Sequence, residues 1–297
     1  MIGKDSCIVK VMTAILAGGH ILLEDIPGVG KTTMAMAFSR AMDLRQKRVQ
    51  FTPDVLPADI TGFSMYQKEK DTFVYQPGAA MCNLLLADEI NRTSPKTQSA
   101  LLEVMEEGKV SVDGVSRSVP EPFIVIATEN PYGSAGTQML PESQVDRFMI
   151  CISMGYPDIQ SEIEIAKGNV SGSALEEVRM VMNTVELLNM RKTVEGIFVH
   201  DALYQYIGRL VHTTRSHEMI DLGLSPRGTI SITRMAKARA FLMGRSYVVP
   251  DDIAEVYLDV SAHRIRLNAK ARVSHVSAKT VLSQILAQTA RPTLRRK

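Results

Sequence analysis

The sequence lacks tryptophan, and its 34 lysines and arginines nearly balance 32 aspartates and glutamates. A dedicated binder of nucleic acid or of an acidic membrane surface carries a basic excess on one face. Near-neutral charge argues against both. Basic residues cluster only at the tail, in Arg291, Arg295, Arg296 and Lys297, which reads as a solvated terminus. The three cysteines, Cys7, Cys82 and Cys151, stand far apart and suggest neither a disulfide framework nor a zinc site. They fit a reducing cytoplasm. No apolar run approaches the ~20 residues that span a bilayer. The first residues, "MIGKDSCIVK", are too short and mixed in their apolar stretch for a signal peptide. The expectation is a soluble, cytoplasmic protein without membrane insertion.

What is present is a change of pattern along 297 residues. The first half alternates short apolar runs with helical stretches: Ile21 to Leu23, a helix from Met34 to Met42, Arg48 to Phe51, Leu84 to Ala87, a helix around Thr97 to Glu107, and Phe123 to Thr128. Continuous apolar strands separated by helices predict an α/β fold with a parallel sheet covered on both faces. Two hairpins interrupt it. Residues 62–78 set aromatic and apolar residues on either side of a charged turn. Residues 109–119 carry Asp113-Gly114 between valines, a type I′ signal. After Tyr156-Pro157-Asp158 the pattern becomes helical. Leu203, Tyr206, Ile207, Leu210 and Val211 fall on one face, Ser225-Pro226 starts a helix that Gly244 stops, and Pro250 starts another. The expected domains are an α/β unit over 1–156 and a helical unit over 157–297.

The stretch "LLEDIPGVGKTT", residues 22–33, resembles a phosphate loop, although Asp25 stands where the usual spacing has glycine. Gly28 and Gly30 allow close backbone approach, Lys31 can reach outer phosphates, and Thr32 can ligate magnesium. Asp25 must then point away from the phosphates, because a carboxylate would repel them. The run Leu84–Ala87 ends in Asp88-Glu89. Asp88 suits a magnesium ligand and Glu89 a base for water. The same pair also suits the acidic start of a helix, with Asn91 and Ser94 as cap residues. Asn130 follows a third apolar run, at the strand end where α/β sheets collect ligands. It equally suits a turn with Pro131. Arg147 in "DRF" and Arg227 in "SPR" remain; each fits phosphate contact or a surface ion pair. His212 and His217 lack the partners of a metal site, and the methionines read as core filler.

Taken together, "GGHILLEDIPGVGKTT", "QFTPDVLPADITG", "LLLADEINRTSPKTQSALLEVMEEG", "ATENP", "LPESQVDRF" and "LGLSPRG" resemble the MoxR group of AAA+ ATPases, in the branch with an insert in its second helix. The likeness runs from Ile2-Gly3 to at least His263-Arg264-Ile265. It implies an AAA+ parallel-sheet domain with two hairpin insertions and a helical lid. It implies ATP held by Ile2, Gly3, Pro27, Gly28, Val29, Gly30, Lys31, Thr32 and Thr33, with magnesium at Thr32 and Asp88. Lys31, Glu89, Asn130, Arg147 and Arg227 would be catalytic. In the family's terms, Lys31 and Thr32 belong to Walker A, and Asp88 and Glu89 to Walker B. Asn130 is sensor 1, Arg147 the arginine finger and Arg227 sensor 2. The Glu-Asp-Ile-Pro-Gly loop suits this family, so Asp25 does not mark a dead site. The sequence departs from the family in one respect: MoxR-like chains usually carry a further helical segment before the equivalent of Ile2-Gly3, a departure that bears on the adenine pocket and subunit packing.

The resemblance implies a magnesium-dependent ATPase acting as a chaperone in a nucleotide-dependent ring, a hexamer. Its partners would be copies of itself and client proteins, often with von Willebrand factor A domains. Two other classes compete. An AAA+ nucleic-acid motor is disfavoured by charge and by the lack of an aromatic-basic stripe, and DNA-stimulated turnover would distinguish it. A non-hydrolytic nucleotide switch is disfavoured by Lys31, Asp88, Glu89 and Arg147 occurring together, and a turnover assay separates it.

Overall fold

The computed structural model describes residues 3–24, 28–69, 71–130, 140–167 and 173–293. Ile2, Asp25, Pro27, Lys70, Pro131 and the tail Arg295 to Lys297 lie outside the described residues. The chain divides into two compact units. The first comprises Met1–Val11, His20–Leu140 and Ile152–Leu188; the second comprises Met12–Gly19, Pro141–Cys151 and Asn189–Lys297. The contacts thus divide the chain elsewhere than residue 156, and the reason is local. Lys4 Nζ donates to the carbonyls of Met154 and Gly155 at 2.7 and 2.8 Å. The amides of Val181 and Met182 donate to the carbonyl of Ala41. Residues 152–188 are therefore bonded into the first unit.

In chain order, α1 (Asp5–Leu16) leads into β1 (Ile21–Glu24), α2 (Lys31–Ala41), β2 (Gln46–Gln50) and the short α3 (Pro57–Thr61). A hairpin follows, β3 (Gly62–Gln67) and β4 (Thr72–Pro77), then β5 (Leu84–Asp88) and α4 (Pro95–Glu107). A second hairpin, β6 (Lys109–Val112) and β7 (Val115–Ser118), precedes β8 (Ile124–Glu129), α5 (Glu142–Val145) and β9 (Ile150–Ile152). The main sheet has the order β2-β5-β8-β1-β9. The pairs β1–β8, β5–β8 and β2–β5 are parallel, as the apolar runs predicted. Ile21–Leu23, Leu84–Ala87 and Ile124–Ala127 are buried throughout, the pattern of strands covered on both faces. Edge strand β2 instead carries Lys47 and Arg48, charges of the kind that discourage edge-to-edge pairing. The order sets β5, β8 and β1 side by side, so their carboxyl ends meet at one edge.

Both expected hairpins form. Asp113 and Gly114 have φ of 52° and 75°, which a type I′ turn requires. In the first hairpin the register pairs Met65 with Val74 and Tyr66 with Phe73. Phe63 and Met65 therefore share one face, and Phe73 and Tyr75 the other. Tyr66 meets Phe73 edge-on at 5.5 Å. The guanidinium of Arg117 stacks over Tyr75 at 4.2 Å, and the Tyr75 hydroxyl donates to the Thr61 carbonyl. Phe63, Met65, Tyr66 and Phe73 stay exposed.

The remaining elements are α6 (Ile159–Ala166), α7 (Ser173–Glu176), α8 (Thr184–Glu195), α9 (Asp201–Ser216), β10 (Ile220–Leu222), α10 (Pro226–Leu242), α11 (Pro250–Ser261), β11 (Arg266–Leu267), α12 (Ala269–Val273) and α13 (Ala278–Gln288). The predicted faces of α9 and α11 are buried, including Tyr206, Leu210, Ile253 and Tyr257. Ser225 caps α10, accepting from the Gly228 amide, and Gly244 follows it at φ 69°. One small departure from a purely helical pattern is the antiparallel pair β10–β11. Among the described residues no helix is long and apolar enough to cross a membrane.

Candidate nucleotide site

A cavity of about 320 Å³ in the first unit is lined by Gly28, Gly30, Lys31, Thr32, Thr33, Arg48, Gln50, Asp88, Glu89 and Thr128. Its base is the N-terminus of α2. Gly30 precedes that helix at φ 93°, and no side chain caps its first turn. The first-turn N–H groups lack intrahelical partners and carry the positive end of the helix dipole. A Cβ at Gly28, itself at φ 88°, would meet nothing within 4 Å, so the loop backbone is open on that side. These features fit a phosphate group.

Across the cavity, β5 ends at Asp88. Its side chain is 8 % exposed and forms an ion pair with Arg48 Nε at 2.6 Å. Glu89 turns out of the strand in the left-handed region, at φ 55°, a conformation rare for a side-chain-bearing residue. Its amide donates to Thr128 Oγ1 at 2.9 Å, and that hydroxyl donates on to Asp88 Oδ1 at 3.4 Å. One threonine on β8 thus fixes both acidic residues of β5. The Glu89 carboxylate accepts from Arg92 Nη1 at 2.6 Å. The oxygens of Thr32 and Asp88 line the same cavity, and hard oxygen donors of this kind suit magnesium.

The structure brings Gly28, Gly30, Lys31, Thr32, Thr33, Asp88 and Glu89 together around one cavity. Asn130 directly follows β8, and its carbonyl accepts from the buried Asn91 at 3.4 Å. Of the two residues that suit a cap, Ser94 caps α4, and Asn91 bonds instead to the chain that follows β8. Gly3 belongs to the first unit at φ 69°, and a Cβ there would meet Ser161 Oγ at 2.5 Å.

Arg147 and Arg227 belong to the second unit. Their neighbours there are joined by Asp146. Its Oδ2 accepts from the α10 cap Ser225 at 3.0 Å, and its Oδ1 accepts from Arg264 Nε at 2.9 Å. Arg264 also donates to the carbonyls of Phe148, Met149 and Val260 and to Ser231 Oγ. Burial lowers the Arg264 guanidinium to about 10, and Asp146 opposes that shift. Sequence reasoning passed over Thr128, Arg48, Asp146 and Arg264. Asp146 in "DRF" was the one signal within reach.

Two family models match: the ATPase family associated with various cellular activities (AAA) over residues 20–150, and the AAA lid domain over residues 212–285. An uncharacterized Bacillus subtilis protein, YeaC, is 42% identical over 99% of this chain and 92% of its own length. Chaperone MoxR1 of Mycobacterium tuberculosis is 38% identical over 98% of this chain and 79% of its own. The crystal structure of a candidate ATPase from Cytophaga hutchinsonii superposes with a TM-score of 0.91 at 36% identity, covering 99% of this chain and 92% of that one. The parallel sheet and the helical lid agree with these relatives, and the chain belongs to the MoxR family of AAA+ ATPases, which hydrolyse ATP.

Proposed function

We propose that the chain is a magnesium-dependent ATPase that remodels, matures or assembles client proteins as a nucleotide-dependent ring, with von Willebrand factor A domain proteins among its clients. The supporting observation is the shared cavity of the α2 N-terminus, Lys31, Thr32, Asp88 and Glu89. In this reading the α2 amides and Lys31 hold the ATP phosphates, and Thr32 and Asp88 hold magnesium. Bound magnesium would neutralise charge on the phosphate oxygens. Glu89 takes a proton from the attacking water, and Thr128 keeps its backbone in place. Asn130 orients that water. Arg227 is read as a second phosphate sensor and Arg147 as a finger for a neighbouring subunit, both on family resemblance. The exposed Phe63, Met65, Tyr66 and Phe73 support a client-facing role for the first hairpin. The name of the mycobacterial relative supports the chaperone reading.

Subunit mixing tests the ring. An arginine finger contributes about 10³–10⁵ in rate, so Arg147→Ala and Lys31→Ala proteins should each be nearly inactive. Mixed rings contain some interfaces with an intact loop and an intact finger, so partial ATPase activity should return. Co-assembly without recovery would overturn a finger acting in trans.

A further inference from the structure

The parallel register of β1 and β8 sets Glu24 directly beside Glu129. Each is the last residue of its strand: the phosphate loop follows Glu24, and Asn130 follows Glu129. Glu129 is 2 % exposed, and among the described residues its Oε2 has no hydrogen-bond partner. Like charges directly opposite on neighbouring strands repel, and a buried carboxylate without donors is costly. Both penalties fall when one proton stays between the two groups, because one carboxyl then donates to the other. Among the described residues, Glu24 is the charged group that acts on Glu129. On the turn packed against β8, Asn91 is neutral and Arg92 is held by Glu89. On β5, Asp88 bonds to Thr128, the neighbour of Glu129 in sequence, whose side chain leaves the opposite face of β8.

We infer that Glu24 and Glu129 hold one proton between them, and that this proton ties the strand entering the phosphate loop to the strand preceding Asn130. Glu129 is then a positioning residue for nucleotide binding, and the inference rests on the nucleotide reading of the cavity. Burial, with the neighbouring Glu24, raises the Glu129 carboxyl to about 7. The sign follows. The unfolded chain loses this proton in the ordinary carboxylate range, so stability falls as pH climbs from there to about 7 and levels off above. Past that point both groups are charged, and the two strand ends repel.

The test uses the full chain, wild type and Glu129→Gln, across the range from acid to mildly alkaline pH. Two quantities are read: affinity for a fluorescent ADP, and the thermal midpoint without nucleotide. The nucleotide phosphates titrate in the same range, so the informative number is the wild-type to Glu129→Gln affinity ratio. An amide donates as the protonated acid does and carries no charge, so the variant should show no step of its own. The ratio should fall about tenfold across the step, the factor carried by one unit of proton-linked shift. The wild-type midpoint should fall over the acid side of the same range, and the variant's should not. A constant ratio with a clear midpoint step overturns the positioning role. A midpoint profile shared by both proteins overturns the shared proton. Loss of ADP binding at every pH, with the midpoint step intact, defeats the nucleotide reading and positioning together while the shared proton stands. Should Glu129→Gln fail to fold, Glu24→Gln removes the facing charge: burial still acts on Glu129, so the midpoint step should shrink and move to lower pH, and a step unchanged from wild type overturns the shared proton.

Discussion

Two arginine–carboxylate pairs occupy the two units and are built in opposite ways. In the first, the carboxylate is buried and the arginine exposed: Asp88 is 8 % and Arg48 52 % accessible. Among the described residues, the Arg48 side chain has beyond Asp88 a long contact with Gln50, at 3.5 Å. In the second, Arg264 is 2 % and Asp146 18 % accessible, and backbone carbonyls take up the remaining guanidinium donors. The contrast separates an exchangeable pair from a fixed one. Arg48 itself loses little on leaving Asp88, because its head is half in solvent, but the buried carboxylate it leaves needs another positive partner, which suits a carboxylate whose charge a cation can take over. Arg264 cannot leave, because its departure strands a mostly buried carboxylate and several buried carbonyls.

The largest effect is expected at the fixed pair. Arg264→Met should destabilise the second unit by about 3–5 kcal/mol, the range for breaking a buried pair from one side. Thermal unfolding checks this, and a loss below about 1 kcal/mol would place the pair among surface bridges. At the exchangeable pair, Arg48→Gln should cost less, about 1–3 kcal/mol without a cation, because Asp88 stays buried with a neutral partner. It should also lower, several-fold, the magnesium concentration needed for half-maximal ATP binding, since Arg48 no longer competes for Asp88. A higher requirement would mean that Arg48 itself serves the phosphates. The smallest effect on basal function belongs to the first hairpin. Replacing residues 67–71 with a short glycine-containing turn should leave basal turnover and assembly unchanged while client-stimulated turnover is lost. Equal loss of all three would make the hairpin architectural.

The same contrast explains what could be read from sequence. Leu84–Ala87 before Asp88-Glu89 is legible because a buried parallel strand is continuously apolar and its polar end stands out. Gly28, Gly30 and Lys31 are legible because a helix N-terminus that cradles phosphate needs small residues and a cation. Asp113-Gly114 is legible because few residues accept two successive positive φ angles. Thr128 is not, since a hydroxyl at the end of an apolar run is ordinary until Asp88 and Glu89 are seen to bond to it. Arg264 lies 118 residues from Asp146, and no local pattern reports such a pairing. The units likewise depend on distant backbone bonds, such as Val181 and Met182 to Ala41, so the change to helical pattern after Pro157 does not mark where contacts divide.

The central claim is that the cavity at the ends of β5 and β8 hydrolyses ATP, with Glu89 as its base. Glu89→Gln keeps the size of the side chain and the hydrogen bond from the backbone N–H to Thr128 Oγ1 but removes the proton acceptor. ATP binding and single-turnover hydrolysis, measured on the same preparation of this variant, give the most direct test. The variant should retain ATP without turning it over; hydrolysis at the wild-type rate would rule out Glu89 as the base.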